Sequence, residues 1–400
     1  MPLALLAVLL GGSAAFAHAD GSHDLLPIPP RPAGAAGELL PFVAAAVVLV
    51  LGMACVLLRR RAVVGVALSV AALAPFLLAA ETPDPPQLKH FAAFKDKLQL
   101  RADERFLYVG SDAFPDHPMM VGITAWQQQV PLPQPYTGKN AWRIPLKPKL
   151  ADKPISAKKA LFRGAIGLAV NGVPVFNALN NRGEDSFLAG ELDESGGHCG
   201  RGDDYHYHIA PTHLQTAVGK GNPIGYGLDG FPLYGFTDAD GKEPADLDEF
   251  NGRTEKDGYR YYSTKKYPYM MGGMRGEVTV RGDQVDPQPK DAPARPAGTP
   301  LRGAKITAFD RDDKAKTYTV KYDVKGAGHS VAYTLGEKDT ITFTHTDGAG
   351  KTKTETHTRR PPKMGMLPLT GIAVAVLFLG VGGVVAYRRS RRAGSESVRA

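Results

Sequence analysis

Hydrophobic and polar positions fall into three regimes along the chain, and each predicts a different kind of element. At the amino end an apolar run over residues 3–10 leads into small residues at Ala15, Ala17 and Ala19. That is the pattern of a cleavage site and assigns residues 1–19 to a signal peptide. Two further runs, 38–58 and 62–80, stay apolar for about 20 residues each, long enough to cross a bilayer core. Arg59-Arg60-Arg61 separates them, so they predict a transmembrane hairpin over 38–80 with its basic loop in the cytoplasm. A last apolar run, 372–387, precedes Arg388-Arg389-Ser390-Arg391-Arg392. Residues 367–387 are accordingly expected to form a C-terminal transmembrane helix or sorting signal. With both arginine clusters inside, residues 81 to about 365 lie outside the cell membrane, on its periplasmic or extracellular face.

Between these ends the runs become short and rich in Val, Ile and aromatics. Phe106-Leu107-Tyr108-Val109 and Ala165-Ile166-Gly167-Leu168-Ala169-Val170 are examples, bounded by Gly, Pro or Asn. Such runs predict strands joined by turns, and no long 3.6-residue stripe accompanies them. Residues 83–281 therefore read as one folded domain. Pro287, Pro289, Pro293, Pro296 and Pro300 predict an extended linker over 282–302. The third regime is strict alternation, as in Thr317-Tyr318-Thr319-Val320-Lys321-Tyr322 and Thr340-Ile341-Thr342-Phe343-Thr344. With Asp347-Gly348-Ala349-Gly350 as a hairpin turn, it predicts a small β module over 303–360. The expected architecture is a β-rich exoplasmic domain (mainly β or α+β) with an internal pseudo-repeat, a small β module, and transmembrane helices at both ends.

Composition narrows this picture. The 400 residues are 43% hydrophobic and 22% charged, which excludes a wholly disordered chain and a polytopic membrane protein. A net charge of +8 would suit a nucleic-acid binder, but arginines that abut apolar segments set topology instead. No basic stripe with interleaved aromatics remains, so no nucleic-acid partner is expected. Of the two cysteines, Cys55 lies in an apolar run. Cys199 is left as the single thiol of the soluble part, and a disulfide scaffold is excluded.

Candidate chemistry concentrates in Gly197-His198-Cys199-Gly200-Arg201-Gly202-Asp203-Asp204-Tyr205-His206-Tyr207-His208. On a strand over residues 205–209, His206 and His208 project from one face and Tyr205 and Tyr207 from the other. Two imidazoles at that spacing can hold one zinc or copper ion. His198 can fold back from the Gly-rich loop as a third ligand, and Cys199, Asp203 and Asp204 are close enough to bind or to orient ligands. A hydrogen-bonded or solvent-facing histidine pair is the alternative. A partial repeat bears on the choice. Leu192-Asp193-Glu194, Gly197 and His198 are echoed by Leu247-Asp248-Glu249, Gly252 and Arg253, and Tyr205-His206-Tyr207-His208 by Tyr259-Arg260-Tyr261-Tyr262. The frame survives while all three histidines change together, as members of one site do. The second copy, with two arginines, reads as scaffold.

The same stretch resembles the YHYH-domain family. The likeness also covers Arg163-Gly164-Ala165-Ile166, Asn171-Gly172-Val173-Pro174-Val175-Phe176-Asn177, Asn180-Asn181-Arg182-Gly183-Glu184-Asp185 and Leu228-Asp229-Gly230-Phe231-Pro232-Leu233-Tyr234-Gly235. The resemblance implies an exported or membrane-anchored protein with no established activity. Family members often carry His in the second copy too, from which Arg253, Arg260 and Tyr262 depart. Asp116-His117-Pro118-Met119-Met120 falls within the likeness, which makes His117 a candidate fourth ligand and the two methionines candidate soft ligands for Cu(I). Capping or core packing is the alternative for all three. Leu367-Pro368-Leu369-Thr370-Gly371 resembles the cell-wall sorting signal of sortase substrates. That likeness implies cleavage after Thr370 and attachment to the wall; a plain membrane helix is the alternative.

Weaker signals change little. Two Arg-Gly-Asp tripeptides, at 201–203 and 281–283, are common by chance, and the acidic turns at 238–241 and 246–249 lack the ligand spacing and closing Glu of a calcium loop. Ser186 and Ser195 have no nucleophile context, and no dedicated general base stands beside the histidines. The expected function is a membrane-anchored extracytoplasmic protein that binds one divalent transition metal, Zn or Cu, through His198, His206, His208 and His117. A metal-dependent hydrolase or oxidase is the first alternative and needs an open coordination position beside a cleft. A cell-surface interaction protein with structural histidines is the second.

Overall fold

The structure, a computed structural model, describes residues 84–238 and 240–360. The signal peptide, the transmembrane hairpin, the C-terminal apolar run and the sorting motif expected from sequence all lie outside the described residues. Among the described residues no helix is long and apolar enough to cross a membrane. The described body is β-rich, with one short α-helix, α1 (Leu214–Val218), and 3-10 segments at Pro86–Lys97, Gly138–Asn140 and Glu337–Asp339.

Strands β1 (Gln99–Ala102), β2 (Phe106–Gly110) and β3 (Trp142–Pro145) make an antiparallel sheet in that order, and β4 (Leu150–Ser156) follows. The next eight strands form the central sheet: β5 (Ala165–Ala169), β6 (Pro174–Phe176), β7 (Gly197–Cys199), β8 (Tyr205–Tyr207), β9 (Gly225–Gly227), β10 (Pro232–Tyr234), β11 (Gly252–Glu255) and β12 (Gly258–Tyr262). Their order is β11-β12-β10-β9-β5-β6-β8-β7. β5 is buried at every position, which is why its sequence is continuously apolar rather than alternating.

That order contains a two-fold. β5 and β9 pair antiparallel at the middle; each is followed by an antiparallel partner, β6 or β10, which pairs parallel with β8 or β12, and a β7 or β11 hairpin arm closes each end. The matching contacts are Val175 opposite Tyr207 and Leu233 opposite Tyr261. The repeat therefore reaches back beyond the hairpins to Asn171-Gly172-Val173-Pro174 and Asp229-Gly230-Phe231-Pro232. Asn171 Nδ2 donates to Tyr207 Oη at 3.0 Å, and in the other half Tyr261 Oη donates to the Asp229 carboxylate.

β13 (Gly273–Gly276) returns to pair with β4, and β14 (Val280–Arg281) and β15 (Gln284–Val285) form a minimal hairpin. The Pro-rich stretch then lies against the body. Ala292 is buried, its N–H donates to Gln134 Oε1 at 3.1 Å, and Arg295 clamps Asp203 through Nε and Nη2 at 2.9 and 3.0 Å. Finally β16 (Ala304–Asp312), β17 (Thr317–Val324), β18 (Ala327–Leu335), β19 (Thr340–Thr346) and β20 (Thr352–Thr358) make a five-stranded antiparallel meander. Alternation puts Tyr318, Val320, Tyr322, Val331, Tyr333, Ile341 and Phe343 on its buried face. Trp126 meets Tyr322 edge-on at 4.8 Å, Phe114 meets Tyr318 at 5.0 Å, and Tyr333 Oη donates to the Pro131 carbonyl. This sheet shares the core of the main body.

Candidate metal centre

The β7–β8 hairpin sits at one end of the central sheet and pairs His198 directly with His206. Cross-strand neighbours share a face, so two imidazoles meet by register alone. His208 stands just past β8, where its N–H donates to Gly196 O at 2.9 Å. The pairing demands glycine at the start of β7: a Cβ on Gly197 would stand 2.7 Å from the His206 carbonyl. Gly252 faces the same 2.7 Å approach from the Arg260 carbonyl, and Asp193 and Asp248 accept from Tyr205 Oη and Tyr259 Oη alike. The two hairpins are built by one local code.

In the first hairpin the side chains converge. His198 Nε2 lies 3.0 Å and His206 Nε2 3.1 Å from His208 Nε2. The outer nitrogens are engaged by protein: His206 Nδ1 reaches the Asp204 carbonyl at 2.9 Å, His208 Nδ1 the Asn177 carbonyl, and His198 bonds to the Glu191 backbone. A carbonyl can only accept, so each of these nitrogens carries a proton, and in a neutral ring so held Nε2 is the lone pair. Burial, with the other imidazoles adding to it, pushes His198 well below the usual histidine range and His208 down to about 3, so neither charges at neutral pH. Neutral lone pairs aimed at one point repel unless a cation sits among them. Three ligands of a tetrahedral zinc at about 2.0–2.1 Å would stand about 3.3 Å apart, close to the two separations from His208, and all three candidate ligand atoms lie within 4.8 Å of one another. Capping of the outer nitrogens on carbonyls is the usual support for metal-binding imidazoles. Phe176 stacks on His206 at 3.9 Å and fixes its ring.

The cluster opens onto a cavity of about 240 Å³. Arg163, Asn181, Arg182, Glu191 and Arg201 line it together with the three histidines. Sequence reasoning missed Glu191, which is buried and accepts from Arg182 Nη2 and, at 3.2 Å, from Asn180 Nδ2. It also missed Arg163 and Asn180-Asn181-Arg182 as site residues, although both segments carried the family likeness. The available signal was that likeness itself: distant motif pieces that share one cavity.

Other candidates fall elsewhere. His117 is not brought to the cluster. Its Nδ1 bonds the Pro118 carbonyl and its Nε2 lies 2.8 Å from Tyr207 Oη, on the tyrosine face of β8. Both nitrogens are thus occupied, and the edge of its ring meets His213 at 4.8 Å. Met119 and Met120 are buried in the core. Cys199 is a free, buried thiol, pushed up by burial first and by Asp203 and Asp204 next, and it is not among the converging ligand atoms. Asp203 of the first Arg-Gly-Asp tripeptide accepts from Val130 N and Arg295 inside the protein, so that tripeptide is not displayed.

The second hairpin supplies its own cation where the first has histidines. The Arg253 guanidinium donates to Glu255 Oε1 at 2.6 Å, Asp238 Oδ2 at 2.9 Å and Ala245 O at 3.1 Å. Arg260 lies over Tyr234 at 4.9 Å, as His206 lies over Phe176.

Fold and site thus define a β protein with a two-fold central sheet and a buried three-histidine centre at one end. Residues 141–244 match the family model described as YHYH protein, and the chain carries a YHYH domain. The matched stretch holds all three histidines and ends before the second hairpin. No curated protein and no solved structure matches the chain.

Proposed function

We propose that the YHYH domain binds one divalent transition metal, zinc or copper, through the Nε2 atoms of His198, His206 and His208. The observation that carries this reading is the convergence of three imidazole Nε2 atoms on rings whose outer nitrogens are held by backbone carbonyls. Imidazole ligands suit both metals. The chain is proposed to be anchored in a cell membrane with this domain on the exoplasmic face. The agreement of the two arginine clusters supports that topology, and protease accessibility on intact cells tests it. A sortase-type attachment at Thr370 is a further proposed anchor, read out by loss of the C-terminal tail from the mature chain.

Metal content of the purified full-length chain, measured by mass spectrometry, tests the main reading. Near one zinc or copper per chain is expected, with little in His206→Ala/His208→Ala. A wild-type protein that folds normally yet resists loading with either metal would overturn it. One observation favours a second reading, a metal-dependent hydrolase. The three histidines open onto the cavity, with the buried Glu191 carboxylate in its wall, so that a metal held there would keep a position open to solvent, as catalytic rather than closed sites require.

A further inference from the structure

The charge around the cavity is unbalanced in one direction. The carboxylate in the cavity wall, Glu191, is paired with Arg182; of its neighbours Asp203 has Arg295, and Asp204 accepts from Gly202 N at 3.1 Å while its other oxygen lies 3.5 Å from His206 Nδ1. Arg163 and Arg201 line the same cavity from two separate loops, both exposed. Among the described residues neither forms an ion pair. Nothing in the packing requires a guanidinium at either place. A metal ion at the histidines would add positive charge at the inner end of a space whose outer end already carries two free guanidinium groups.

Resting on the metal reading above, we propose that the ligand of this centre is a small oxyanion. A carboxylate or phosphate group takes the open coordination position of the metal and is held at the cavity mouth by Arg163 and Arg201. Guanidinium forks match the planar oxygen pairs of both groups. The cavity, about 240 Å³, falls below the roughly 300–1,000 Å³ of sites for drug-sized molecules, which limits the ligand to a small acid or a simple phosphate ester rather than a polymer. The amides of Gln127 and Asn181 in the same wall offer further donors and no charge.

The test uses the full-length chain loaded with Co²⁺, whose visible absorption reports the coordination shell. Titration with acetate and, separately, with inorganic phosphate is expected to give a saturable spectral change with at least one of them, and the tighter arm identifies the oxyanion. Arg163→Ala/Arg201→Ala should weaken that binding at least about tenfold, the size expected for losing charge-assisted hydrogen bonds, with cobalt content unchanged. Full cobalt uptake with no response to either anion, or equal affinity in the double variant, would sink the oxyanion proposal alone. Failure of the wild-type chain to take up cobalt, zinc or copper would sink the metal reading, and this proposal with it.

Discussion

His117 and His206 each place Nδ1 on a backbone carbonyl, and they differ only in what meets Nε2. His117 Nε2 accepts from Tyr207, whose oxygen in turn accepts from Asn171 Nδ2; His206 Nε2 lies 3.1 Å from His208 Nε2, with His198 in the same cluster. One is a satisfied, half-buried histidine and the other, on the reading proposed above, a ligand. His117→Phe should therefore keep the metal content of the wild type and cost about 1–2 kcal/mol in denaturant unfolding, the penalty for stripping a buried hydroxyl of one partner. Loss of the metal instead would restore His117 as a ligand. The alternation His206-x-His208 was readable because strand period alone puts both on one face. The partner of His117 was not readable, since Tyr207 is 90 residues away in sequence and no local pattern says which histidine nitrogen remains open.

At the scale of elements, the β7–β8 hairpin depends on a segment that reads as linker. Five prolines do predict the absence of ladder hydrogen bonds after β15, but not the docking. That centres on a bidentate pair, Arg295 with Asp203, whose side chains are 10% and 5% exposed, with the buried Ala292 and the hydrogen bonds of Gln288, Lys290 and Thr299 to the body beside it. Asp203 adopts φ +59° at the turn that leads into β8, so the clamp also fixes the approach to His206. Arg295→Ala leaves a buried carboxylate without its cation and should destabilise the fold by about 3 kcal/mol, with weaker metal retention as a second effect. Denaturant unfolding of holo and metal-stripped protein separates the two. A cost below about 0.5 kcal/mol, the range of ordinary surface substitutions, would show that the clamp is incidental. The alternating runs of β17 and β19 were legible because one face meets the core and the other solvent. The parallel placement of β6 beside β8 was not, because three-residue strands carry too little pattern to name a partner.

For the whole molecule, the sequence exposes the two-fold only where the hairpins share Leu-Asp-Glu, Gly and the tyrosines. Its first half is disguised: Asn171 and Asp229 do the same job with different chemistry, and Val173 and Phe231, the middle residues of a short Gly-x-Pro core, differ in size. What the symmetry brings out is a difference in where charge comes from. One end of the sheet carries a permanent cation in Arg253, covalently part of the chain. The other end, on the reading proposed above, takes one from solution. Withdrawal of metal should therefore loosen the ends unequally: amides of β7 and β8 should exchange faster with deuterium after chelation, through local opening, while those of β11 and β12 keep their rates. Equal change at both ends, or none, would contradict a metal role for the three histidines. The chain is then its own ruler, with a fixed arm and a conditional arm on one sheet, so that the ratio of their exchange rates reports metal supply whatever the stability of the protein around them.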